Sequence, residues 1–187
     1  MRELVNTLQA LKPWLLEEVR PAVIETCYDG NPLRFRQWQG NCCLQTSIAV
    51  NYLLTERLRL MGYKEIQSWE GQFTDVIFGK HVQYNHAWVY CEHESEPGLN
   101  LLIDISRNHK ECLVVFAEKN EYPSHPDYDD MVTLSRERLN VTRLMQKPEY
   151  YTGLRGKEFI SLVKLKLNEN RENQPEDPRV ASAAENS

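Results

Sequence analysis

The chain has 187 residues, 41% of them hydrophobic, enough for one domain with an apolar core and too few for two comfortable ones. A formal charge of −5 with no cluster of Lys and Arg excludes a general nucleic-acid binder, because phosphate recognition rests on basic surface. No stretch approaches the roughly 18 consecutive apolar residues of a membrane span, so no membrane partner is expected.

The opening MRELVNTLQALKPWLLEEVR mixes acidic residues among its leucines and lacks an apolar h-region, so it does not read as a secretory signal. The expected location is cytoplasmic. Leu8, Leu11, Leu15, Val19 and Ile24 recur at roughly helical spacing, with Pro13 and Pro21 as breaks or first-turn residues, and predict one or two packing helices. Asp29-Gly30-Asn31-Pro32 is a turn signal that closes this segment.

Cys43, Ser47, Val50, Leu54 and Met61 follow at helical steps and predict a helix that begins at the cysteine pair and stops at Gly62. Strands are expected near Phe73 to Phe78, from Tyr84 to Cys91, from Leu99 to Ile105 and from Cys112 to Ala117. Beyond them we expect a helix from Leu134 to Gln146 and a strand from Phe159 to Leu167. Helices first and an antiparallel sheet second indicate an α+β fold. Residues 1–167 read as a single catalytic domain. Residues 168–187, rich in Asn, Glu, Pro and Ser, read as a disordered tail.

Five cysteines, Cys27, Cys42, Cys43, Cys91 and Cys112, form no CxxC pair, so free thiols are expected rather than a disulfide framework or a zinc site. His81, His93, His109 and His125 fall on presumed loops without the spaced partners that zinc requires, and no metal or cofactor is expected.

Three features carry chemistry. Gly40-Asn41-Cys42-Cys43 places a thiol at a helix start, Asn85-His86-Ala87-Trp88-Val89 places an imidazole on a strand, and Leu101-Leu102-Ile103-Asp104 places a carboxylate at the end of the next. A thiol near neutral pH is mostly protonated, so an enzyme that uses it needs a helix N-terminus and a nearby imidazolium to favour the thiolate. The imidazole in turn needs a carboxylate on its other nitrogen to hold one tautomer. His86 and Asp104 are one hairpin apart and can meet across a ladder.

Gly40-Asn41-Cys42-Cys43-Leu44-Gln45, Asn85 to Val89 and Leu102-Ile103-Asp104 resemble the core of the transglutaminase-like superfamily, which shares its Cys-His-Asp logic with papain-like cysteine proteases. The resemblance spans about residues 34 to 106. The first string is also similar to the nucleophile motif of arylamine N-acetyltransferases, and His-Ala-Trp-Val to the histidine strand of lasso-peptide leader peptidases. It implies a papain-like or transglutaminase-like fold with the catalytic triad Cys43, His86 and Asp104. Adjacent helical residues point about 100° apart, so only one cysteine faces the cleft. Cys43, leading the apolar stripe, is favoured, and Cys42 is the alternative nucleophile. Gln37, six residues before Cys43, and Gln39 are oxyanion-hole candidates, and Trp38 and Trp88 are substrate-groove candidates.

The expected function is a thiol hydrolase (peptidase, amidase or deamidase) that forms an acyl-enzyme on a peptide, protein or small amide substrate. The alternatives are an acyl transferase with the same triad and a non-catalytic interaction module on the same scaffold.

Overall fold

The computed structural model describes residues 2–28, 42–77, 80–106, 113–115, 132–138 and 156–172. The N-terminal segment forms α1 (Arg2–Gln9), a π-helical stretch (Trp14–Val19) and α2 (Arg20–Tyr28). Leu8, Leu11, Leu15, Val19, Val23 and Cys27 are all buried, at steps of three or four that keep one stripe against the core. Pro13 holds a helical backbone at the start of the π stretch, as its fixed φ allows. A proline ring collides with the carbonyl four residues before it. The wide π turn immediately ahead of Pro21, closed by the Arg20 N–H on the Leu15 carbonyl, relieves that conflict without ending the helix.

Helix α3 (Cys43–Leu60) starts at the expected cysteine and buries Ser47, Ile48, Val50, Leu54 and Leu58. It ends through the Met61 and Gly62 amides, which donate to the carbonyls of Leu58 and Arg59 at 3.0 Å each. Gly62 has φ +91°, and a Cβ there would lie 2.9 Å from the His93 ring. Both facts require glycine.

Strands β1 (Tyr63–Ile77) and β2 (Lys80–His93) form one long antiparallel hairpin, and β3 (Leu101–Ile103), β4 (Leu113–Val115) and β5 (Val132–Arg138) complete a five-stranded sheet of order β4-β3-β2-β1-β5. Every pairing is antiparallel. Helix α3 packs across β1 and β2, and Val89, Cys91, Leu101 and Ile103 share the core with it. The alternate residues Trp88, Tyr90 and Leu102 are buried as well, so this part of the sheet is covered on both faces. That is why its sequence reads as an apolar run rather than an alternation. The architecture is α+β.

Two segments are of the other element type. Residues 134–138, expected to open a helix, belong to β5 and pair with β1, while 139–146 lie outside the described residues. Phe159 to Leu167, expected as a strand, lies within helix α4 (Gly156–Glu172), where Phe159, Ile160, Val163 and Leu167 are buried at helical spacing and Leu162 and Leu165 are exposed. The helix continues five residues past the expected domain end at 167; residues 173–187 lie outside the described residues. Helix α4 packs on α2 and α3, and Lys166 bonds Glu25 of α2 at 2.6 Å.

Two of the expected loop histidines are strand residues. His81 lies within β2. His93 ends it, with its ring edge-on to Tyr63 and its Nδ1 accepting the Glu96 amide at 3.2 Å, so it organises the turn into β3. His109 and His125 lie outside the described residues. Among the described residues Cys27, Cys42, Cys43 and Cys91 are not joined in disulfides, and Cys112 lies outside the described residues. Among the described residues no helix is long and apolar enough to cross a membrane.

Candidate active site

The two cysteines at the start of α3 have different surroundings. Cys42, the residue preceding the helix, is buried in the core cluster with 1% of its surface exposed. Cys43, the first helical residue, is half-exposed, and its thiol lies 3.9 Å from the Asn85 carbonyl on β2 and hydrogen-bonds the His86 ring. The turn that separates them is the rotation expected of neighbouring helical residues. Cys42 offers no side-chain cap, and the helix N-terminus points its positive dipole end toward the Cys43 side.

His86 is buried, and its Nε2–H donates to Oδ2 of Asp104 at 2.7 Å. Nδ1 is then the ring nitrogen left for the thiol. In the β2–β3 ladder Val89 faces Ile103. Continuing that register by one residue puts Asp104 opposite Trp88 and diagonal to His86, a separation that an imidazole and a carboxylate span together. Across the other ladder His86 faces Gly71, which sets no side chain beside the ring.

Asp104 Oδ1 accepts two further bonds, from the Ser106 hydroxyl at 2.7 Å and from the Ser106 amide at 3.1 Å. This Asx turn locks the carboxylate rotamer. Ser106 is a functional residue that reading the sequence missed; Asp-x-Ser after an apolar strand is the signal that could have found it.

The electrostatics follow from burial and pairing. Burial opposes a charge on His86, but the Asp104 carboxylate, its hydrogen bond and the Cys43 thiol outweigh it and push the imidazole up to about 9. Burial likewise opposes ionisation of Asp104. The His86 cation and the bonds from His86 and Ser106 overcome it and hold the carboxyl well below the usual range. At neutral pH the pair is therefore imidazolium and carboxylate, with the thiol at its open end.

Trp88 is 3% exposed and its ring stacks on His86 with centroids 6.2 Å apart and planes inclined at 22°, so it backs the imidazole and limits its rotation. Gln37, Gln39 and Trp38 lie outside the described residues. Among the described residues no group of three or more His, Cys, Asp or Glu side chains converges as metal ligands.

Comparison with known proteins finds no family model, curated protein or solved structure that matches the chain.

Proposed function

We propose that the protein is a cysteine-dependent hydrolase with a papain-like or transglutaminase-like arrangement, acting on an amide or ester carbonyl. The observation that carries this reading is the row of a half-exposed thiol at a helix N-terminus, a buried imidazole bonded to it, and a buried carboxylate 2.7 Å beyond. A carboxylate and an imidazole held in the core at the cost of desolvation, with only the thiol reaching solvent, suit chemistry better than packing.

In the reaction the His86 imidazolium pairs with the thiolate form of Cys43, whose sulfur bonds to the carbonyl carbon while the π electrons move to oxygen. Backbone N–H groups at the start of α3 stabilise that oxyanion. The oxyanion collapses, the bond to the amine or alcohol breaks, and the His86 imidazolium gives its proton to the leaving group. Water then attacks the thioester as the now neutral His86 takes its proton, and collapse of the adduct releases the acid and restores the pair of Cys43 sulfur anion and His86 cation. Asp104 stays ionised and balances the imidazolium throughout.

The test needs no substrate. At pH 6 iodoacetamide should modify Cys43 much faster than an ordinary accessible thiol, and His86→Ala should slow it to the ordinary rate, with peptide mass spectrometry locating the adduct. Slow labelling of Cys43 in the wild type, indifferent to His86, would favour a non-catalytic scaffold.

A further inference from the structure

Ser47 lies one turn beyond Cys43 on the same face of α3, with 3% of its surface exposed. A serine inside a helix ordinarily bonds back to the carbonyl of its own preceding turn. Thr46 does this, its hydroxyl donating to the Cys42 and Cys43 carbonyls at 3.0 and 2.9 Å. Ser47 instead reaches across to β2 and donates to the Trp88 carbonyl at 3.1 Å. The Ser68 hydroxyl on β1, fully buried, donates to the Ser47 carbonyl at 3.3 Å. A hydrogen-bonded relay therefore runs from β1 through α3 to β2, and it meets β2 two residues from His86, at the tryptophan whose ring stacks on the imidazole.

We infer that Ser47 is a positioning residue, whose bond to Trp88 sets the rotation and height of α3 so that the Cys43 sulfur meets the His86 ring. This rests on the Cys-His-Asp reading above. Alanine is the better helix former and carries no hydroxyl to desolvate, so a serine here runs against local preference. The contact of the Cys43 sulfur with the Asn85 carbonyl, at 3.9 Å, is long and weak. Without Ser47 the packed helix start settles a fraction of an ångström away along the strand. A thiol–imidazole pair is sensitive to that, whereas packing is not.

The experiment compares Cys43 alkylation by iodoacetamide from pH 6 to pH 9 in the full-length wild type, Ser47→Ala, His86→Ala and Thr26→Val. Thr26 is a control of matched kind, a buried hydroxyl bonded to the Ala22 carbonyl at 2.7 Å on α2, outside the site. Ser47→Ala should lower the pH 6 rate about tenfold and steepen the profile toward that of His86→Ala. Thr26→Val should lower the melting temperature similarly and keep the wild-type profile. A wild-type profile in Ser47→Ala, with His86→Ala still altered, overturns the role of Ser47 and leaves the site reading intact. Indifference of the wild-type rate to His86 overturns both. Should Ser47→Ala fail to fold, Ser68→Ala decides: a loss at pH 6 about threefold greater than in Thr26→Val supports the relay, and an equal one overturns it.

Discussion

At the scale of single residues, the two adjacent cysteines have opposite fates. Cys43→Ala should abolish covalent capture of an activated aryl ester, read as the acyl adduct by mass spectrometry, and leave folding nearly unchanged, because a half-exposed thiol at a helix start gives way to a good helix former. Cys42→Ala should keep the adduct but lower stability by roughly 1 kcal/mol, since Cys42 packs in the core. An adduct lost on Cys42→Ala would transfer the nucleophile to that residue.

Asp104 can be tested through pH. Folding raises His86 from 6.5 to about 9, so the stability it contributes is fully present below pH 6.5 and is lost as pH rises toward 9. Folding lowers Asp104, so its contribution is present above the ordinary carboxyl value of about 3.9 and is lost as pH falls below it. The pair's stabilisation therefore peaks between about pH 4 and 6.5. In Asp104→Asn, urea unfolding should show no decline from pH 6.5 to 9, since the amide leaves burial of His86 unopposed. Acyl transfer to Cys43 should fall strongly, because an amide no longer balances the imidazolium. Retention of the wild-type alkaline decline would remove Asp104 as the partner of His86.

At the scale of elements, the turn between α3 and β1 is the most constrained point. Gly62→Ala meets both the left-handed backbone and the His93 ring, so it should destabilise by about 1–3 kcal/mol in urea unfolding. A neutral result would mean that His93 gives way freely and does not fix the turn. This glycine stop and the helix that begins at Cys43 were legible in the sequence, because caps and apolar stripes are local signals. The fates of β5 and α4 were not. Val132 to Arg138 carries no pattern of its own strong enough to decide between helix and strand; the pairing offered by β1 decides it. In α4 the buried set Phe159, Ile160, Val163 and Leu167 has helical period, but the shorter interval from Ile160 to Lys166 also alternates.

At the scale of the whole molecule, α4 is part of the core although it follows the site in sequence. Removing residues 173–187 should leave the melting temperature unchanged, because that composition buries little apolar surface. Phe159→Ala should cost about 3–5 kcal/mol, measured by urea unfolding, as it empties a nearly fully buried position. A large loss on truncation at Glu172 would show that the tail packs. The sequence by itself determined the order of thiol, imidazole and carboxylate and the type of element beneath each, since these depend on residues near one another in the chain. Only the tertiary structure decided that Cys43 rather than Cys42 faces His86, that Ser47 reaches Trp88, and that residues 132–138 and 156–172 are strand and helix. Those outcomes depend on which distant backbone or side chain stands opposite, and no local pattern encodes a partner 40 residues away.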